Sequence, residues 1–308
     1  MRWGVLGGSS RIYLRSLRPA LEAVGHEVIA APSRVDGNVD AYLDMLGRSD
    51  IDAVYNPLPN DMHAEWTHRA LDAGKHVLCE KPLTLSPHHT AEVFDHAESV
   101  GRTVLEAYMW PHHPRAQHVL DLVRSGAIGA PQWGRAQFSW PIDQASGDHR
   151  LDHRGAGALF DVGIYCIAPF MLMSRREPET VHASAVRNHL GVDLTMSGQV
   201  DWGAGFTSSF HVSFDAPHTR SWALAGTNET LDIPGLFVPG PAEPSDVVRT
   251  RRDGTQVTDT CAGGSAYATM VRHFEDVAMG GCSPVFGRVE SERLARTLAR
   301  LHAASATR

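Results

Sequence analysis

The 308-residue sequence predicts an α/β fold: a doubly wound parallel sheet in the first third, then an α+β domain with an open antiparallel sheet. Three observations predict it. Short β-rich runs alternate with helical patterns up to about residue 110, a glycine-serine turn follows the first run directly, and from about Val181 the pattern changes to period-two alternation.

Residues 2–6 (RWGVL) read as the first strand, followed by the turn Gly7-Gly8-Ser9-Ser10-Arg11-Ile12 and a helix near 14–24. Further buried strands are expected at 26–31, 52–56, 76–79 and 103–107. One helix fits at 39–46, and another at 62–73, where Trp66, Ala70 and Ala73 recur at helical spacing. Ser86 as N-cap with Pro87 at the first helical position starts a third. The character changes after Pro111, so the expected domains are 1–110, binding a dinucleotide, and 111–308, binding substrate and a second subunit. In the latter a helix at 117–124 stops at Ser125-Gly126, strands follow at 133–140, 192–202, 205–214, 221–225 and 230–233, and 288–304 closes as a helix. The Pro/Gly-rich stretch 234–244 reads as a surface excursion.

A net charge of −7 argues against a general nucleic-acid binder, which carries a basic stripe. The four cysteines are far apart, so neither a disulfide framework nor a structural zinc is expected. Histidines are abundant, but pairs such as His88-His89 and His112-His113 are adjacent and point in different directions, which suits chelation poorly; no metal site is expected. The richest apolar run, 163–173, is interrupted by Pro169 and is too short to span a membrane. The first residues lack the basic-then-apolar layout of a leader, so a cytoplasmic protein is expected.

Gly7 occupies the first position of G-x-G-x-x-G, whereas Ser9 and Ile12 replace its second and third glycines. Such a turn can face a pyrophosphate with backbone N–H groups at a helix start, or simply join a strand to a helix. Further on, Lys81 ends a strand and Pro82 stops it, placing an amine at the carboxyl edge of the sheet, where ligands of open α/β folds bind. Partial desolvation lowers an amine's proton affinity and fits it to exchange a proton with a substrate hydroxyl.

The strings VYNPLPNDMHAEW and ALDAGKHVLCEKPL together resemble the signature of the Gfo/Idh/MocA oxidoreductases, in the branch of dihydrodiol dehydrogenases, xylose dehydrogenase-like enzymes and ketosugar reductases. EAYMWPHHP at 106–114 is similar to the family's EAFMYRxHP, with Pro111 in the arginine's place, and the resemblance continues through VDLTMSGQVDW, TSSFHVSFDAP and LAGTNETLDIP. It implies a Rossmann-type first domain, a cis peptide before Pro82, and a homo-oligomer through the second domain's sheet. It implies catalytic roles for Lys81, Tyr165, Asp161 and His113, with Asp161 and Tyr165 four apart on one face of an amphipathic helix. Cofactor contacts are implied for Gly7, Gly8, Ser9, Ser10, Arg11, Ser33, Arg34, Pro57, Leu58, Asn60, His63 and Glu80. Ser33-Arg34 after the second strand resembles the NADP-type members, so NADP is expected, with NAD possible.

Only 17 residues separate Arg34 from Asp52, fewer than the family's usual helix, strand and helix require, so the sheet is expected to be shortened between its second and fourth strands. The leading reading is hydride transfer between NADP(H) and a secondary alcohol or ketone of a sugar, polyol or diol-like molecule. Two others stand beside it. One is an isomerase, lyase or cyclase using Lys81 and Tyr165 without net redox; the other is a non-catalytic binding protein using the sheet as its interaction face.

Overall fold

The computed structural model describes residues 1–33, 39–152, 155, 157–234 and 243–306. The first elements are β1 (Arg2–Val5), α1 (Arg18–Ala23), β2 (Glu27–Ala30), α2 (Val39–Leu46), β3 (Ala53–Asn56), α3 (His63–Asp72), β4 (His76–Cys79), α4 (Pro87–Ser99) and β5 (Val104–Glu106). Then come α5 (Pro114–Arg124), β6 (Pro131–Ser139), α6 (Ile164–Ser174), β7 (Thr180–Arg187), β8 (Asp193–Asp201) and β9 (Thr207–Ser213). The last are β10 (Thr219–Gly226), β11 (Glu229–Pro234), β12 (Ser245–Arg251), β13 (Gln256–Cys261), α7 (Ala266–Ala278) and α8 (Arg288–Ala304).

One unit comprises Met1–His112 together with Ser265–Glu292. Its five strands are all parallel, in the order β2-β1-β3-β4-β5. β3, β4 and β5 are buried along nearly their whole length, as strands covered on both faces must be. The connection from β2 to β3 contains the single helix α2 among the described residues, and α2 suffices to close that side of the sheet. Tyr42, Met45 and Leu46 are buried with Leu6, Val54 and Leu58, and Tyr42 meets Trp66 edge-on at 5.0 Å. Lys75 is buried too, its Nζ donating to the carbonyls of Arg48 and Ile51 at 2.5 and 2.9 Å, so it caps the turn before β3.

Beyond the change of character after Pro111, the chain returns to the first unit. α7, which the sequence reading missed, belongs with the parallel sheet because its Phe274 packs on Trp3 of β1, ring centroids 5.2 Å apart. The Trp3 indole N–H donates to His26 Nδ1 at 3.0 Å, and His26 Nε2 lies 2.9 Å from Glu275 of α7.

The other unit comprises His113–Gly264 and Arg293–Arg308. Its eight strands run β13-β12-β11-β10-β6-β9-β8-β7. The open sheet is antiparallel as expected except at one pair: β6 and β9 run in parallel, because β6 enters the sheet from the chain before α6 and lies between β10 and β9. Alternation along β6 buries Gly134, Ala136 and Phe138 on one face and exposes Trp133, Arg135 and Gln137 on the other. α6 is buried all round apart from Tyr165, Leu172 and Ser174, so it is not the amphipathic helix expected; Phe170 stacks on Trp222 of β10 at 5.0 Å. β12 and β13 were not anticipated, and residues 235–242 of the Pro/Gly-rich stretch lie outside the described residues.

Both Trp3 and Phe274 are fully buried, so Phe274→Ala is expected to cost about 3–5 kcal/mol in urea unfolding. A loss within ordinary surface values, about 0.5 kcal/mol, would show that α7 does not stabilise the parallel sheet.

Candidate active site

In the strand order β2-β1-β3 the connections leave β1 in opposite directions, so a crevice opens at the carboxyl ends of β1 and β3. Gly7 follows β1 with φ +79°, and the N–H groups of Gly7 and Gly8 both donate to Pro32 O, at 3.1 and 2.8 Å. A Cβ at position 8 would lie 2.1 Å from Ala31 O, so only glycine lets the turn press against the end of β2. The Gly7 and Gly8 amides, expected to face a pyrophosphate, are therefore spent on the neighbouring strand. A helical turn starts at Arg11, and the first N–H groups of a helix, which no intrahelical carbonyl can take, are the kind of donor an anion uses. That turn winds into a π segment, Tyr13–Leu17, ahead of α1. A helix start at the switch point fits a dinucleotide, with Ser9, Ser10 and Arg11 at its mouth and Ser33 just past β2; Arg34 lies outside the described residues.

The second wall begins at Asn56, the last residue of β3. Its side chain spans the turn, donating to His63 O and Thr67 Oγ1, both at 3.2 Å, and accepting from Leu58 N–H at 3.4 Å. His63, expected to touch cofactor, is wholly buried. Nδ1 sits 2.7 Å from the Pro82 carbonyl and Nε2 2.8 Å from that of Leu58. Burial pushes its pKa down to about 4, against the pull of the two carbonyls, so the neutral ring carries one N–H between two acceptors. His63 is thus the tie between the Pro57-Leu58 turn and the Lys81-Pro82 turn. Pro57 and Asn60 are half-buried beside it, while Leu58 is in the core.

The Lys81–Pro82 bond is cis. Lys81 is half-buried at the end of β4, and the turn around it is seated by buried carboxyl groups. Tyr55 of β3 donates its hydroxyl to Glu80 Oε1 at 2.7 Å, and Lys81 N–H donates to Glu80 Oε2 at 3.2 Å. Glu106, at the end of β5, accepts from Leu83 N–H at 3.1 Å and is 4% exposed. Burial raises the Tyr55 phenol well above its ordinary value, with the Glu80 charge acting the same way. Burial likewise lifts Glu106 to about 7; Ser291 and the Leu83 amide oppose the rise, the Glu80 charge adds to it and the Lys81 charge opposes it.

The second unit carries the remaining expected residues. His113 caps α5, its Nδ1 accepting from Arg115 N–H at 3.1 Å, which leaves the ring proton on Nε2. Nε2 is buried and has no partner among the described residues, and burial lowers the pKa to about 4. Asp161 lies in a π turn, Leu159–Gly163, which leads into α6 and Tyr165, so ordinary helical spacing does not set their arrangement. The start of this turn is seated by Asp193 of β8, which accepts from Leu159 N–H at 2.8 Å. Gly157 has φ +86°, and a Cβ there would fall 2.5 Å from Asp193 Oδ1. Arg150, bound to Asp148 at 2.6 and 2.9 Å, reaches Asp161 at 3.6 Å.

Tyr55, Glu106, Arg150 and Asp193 were missed as supports. Only Glu106 had a sequence signal, as the first residue of the EAYMWPHHP stretch. Among the described residues no group of histidines, cysteines or carboxylates is placed to hold a metal ion, and no helix is long and apolar enough to cross a membrane.

A family model described as oxidoreductase family, NAD-binding Rossmann fold, matches residues 14–108, and one described as GFO/IDH/MocA C-terminal domain matches residues 116–232. The chain is 33% identical over 322 residues to D-xylose 1-dehydrogenase (NADP(+)) 2 of Haloferax volcanii, covering 100% of this chain and 98% of the relative. It is 36% identical over 299 residues to dTDP-3,4-didehydro-2,6-dideoxy-alpha-D-glucose 3-reductase of Streptomyces violaceoruber, covering 91% and 86%. Among solved structures it resembles KijD10, a 3-ketoreductase from Actinomadura kijaniata in complex with NADP and TDP-benzene, with a TM-score of 0.90 at 30% identity, covering 99% and 97%.

With a folded value of about 7 and an ordinary value of 4.5, Glu106 holds a proton in the folded state that the unfolded chain releases. Its contribution to stability, on the order of 3 kcal/mol, is complete below the unfolded value and is lost as pH rises through the folded one. Glu106→Gln is therefore expected to flatten the decline in unfolding free energy between about pH 5 and pH 8. A variant whose profile runs parallel to the parent's would refute the assignment.

Proposed function

This chain belongs to the Gfo/Idh/MocA oxidoreductase family, and from that premise we propose that it moves hydride between NADP(H) and a secondary alcohol or ketone of a sugar, polyol or diol-like molecule. The observation that carries the reading is the seat built for Lys81: a turn held by Tyr55, Glu80, His63 and Glu106 at the carboxyl edge of the sheet. Such support keeps an amine in place to exchange a proton with a substrate oxygen.

Bound nicotinamide supplies the hydride acceptor or donor. The remaining work falls to the chain. Tyr165 donates a proton to the carbonyl oxygen during reduction, Lys81 holds the substrate oxygen and exchanges a proton with it, Asp161 orients substrate, and the buried Nε2–H of His113 offers a further donor. The helix start at Arg11 holds pyrophosphate, with Gly7 and Gly8 shaping the turn, Ser9 and Ser10 lining it, and Pro57, Leu58, Asn60 and Glu80 forming the opposite wall. Ser33 and Arg34 hold the 2′-phosphate; NAD, which lacks that group, gains nothing from them. We place the protein in the cytoplasm, as a homodimer through the open sheet face where Trp133 and Val186 are 44% and 64% exposed.

An isomerase, lyase or cyclase without net redox is the second reading, favoured by the Gly7 and Gly8 amides being spent on Pro32. NADPH fluorescence separates the two, since binding is expected only for the oxidoreductase. Arg34→Ala should weaken NADPH by about 1.5–3 kcal/mol and leave NADH unchanged; equal losses would remove the 2′-phosphate role. Lys81→Ala is expected to lower kcat/KM by roughly 10²–10⁴ with NADPH affinity retained, and full activity in that variant would end the proton-transfer role.

A further inference from the structure

Arg220 stands near Tyr165, and its state differs from that of Arg150. Arg220 of β10 pairs in register with Phe138 of β6, which places both side chains on the same face of the sheet. Its guanidinium lies 5.1 Å from the Phe138 ring centroid and 6.0 Å from that of Trp140. The Phe138 ring in turn lies 5.8 Å from that of Tyr165. Arg220 is therefore one aromatic ring away from the phenol.

Arg150 also lies over Trp140, at 5.7 Å, but two carboxylates, Asp148 and Asp161, balance its charge. Arg220 is exposed and forms no ion pair with a carboxylate among the described residues, in a chain whose net charge is −7. Contact with a ring face does not use up the N–H donors of a guanidinium, which can still donate to an oxyanion. The fork geometry matches phosphoryl oxygens, which can accept two parallel N–H bonds.

Resting on the reading that Tyr165 meets the reacting carbon, we propose that Arg220 anchors a phosphoryl group of the substrate, which is therefore a phosphorylated sugar rather than a neutral one. Phe138 and Trp140 lie beside the guanidinium and offer apolar surface to the sugar ring between the anchor and Tyr165. The phosphoryl group can belong to a simple sugar phosphate or to the diphosphate of a nucleotide sugar, and the two are separated by probe.

The NADPH-loaded protein is titrated with α-D-glucose 1-phosphate, with thymidine 5′-diphosphate and with D-xylose, in the parent and in Arg220→Met. Methionine still covers the two rings but carries no charge, so a purely packing role for Arg220 leaves every affinity unchanged. At least one phosphorylated probe is expected to bind the parent and to weaken by about tenfold or more in Arg220→Met, while D-xylose is unaffected. The probe that responds identifies the source of the phosphoryl group. Failure of both phosphorylated probes to bind the parent, or equal affinity in the variant, overturns the proposal. NADPH affinity is read on the same samples: if the parent fails to bind NADPH yet a phosphorylated probe depends on Arg220, the redox reading falls and the anchor stands.

Discussion

The turn that carries Lys81 depends on polar groups buried where water cannot reach them, because a carboxylate or imidazole in that setting must find a partner within the fold. Glu80 is tied to the Tyr55 phenol on the adjacent strand, Glu106 to the Leu83 amide just past the cis proline, and His63 to the carbonyls of Pro82 and Leu58. The Tyr55 and Glu106 bonds join a strand to the turn after β4, and the His63 bonds join the start of α3 to that turn and to the one after β3. The parallel sheet thereby holds the lysine through side chains from β3, β5 and α3, while β4 supplies only the backbone that leads to it.

The second unit solves a related problem differently. Its helix α6 is buried nearly all round, with Tyr165 in its first turn, and the segment before it, which carries Asp161, winds as a π turn anchored at Leu159 by the buried Asp193. Asp193 is itself pushed up to about 6, chiefly by burial, a cost accepted where the carboxyl also seats a helix start. Around Asp161 the charges are balanced by Arg150, whereas the ring-stacked Arg220 is left open. The two cations on the same indole therefore differ in their partners: Arg150 is paired with carboxylates, and Arg220 has no ion pair among the described residues.

Much of the first unit was legible because its signals are local. The strand 76–79 and the helix 39–46 fall where periodicity places them, and the glycine-serine turn announces a helix start. The same turn also misled: Gly7 and Gly8 look like phosphate-facing donors, but the nearby end of β2 takes both amides. His63 stands in a motif of ligand-contacting character yet is buried as a tie between two turns. Neither fact is encoded in spacing, since both depend on which carbonyl the folded chain brings within 3 Å or so.

By itself the sequence determined the doubly wound sheet, the lysine at the end of its fourth strand and the family membership, because strand periodicity, a stopping proline and a contiguous motif are properties of adjacent residues. Only the tertiary structure decided that α7 returns to pack on Trp3, that β6 and β9 run in parallel, and that Tyr55, Glu106 and His63 hold one turn together. It alone set Arg220 across Phe138 and Trp140. Strand register and burial couple residues tens of positions apart, and their pairing has no local period from which it could be read.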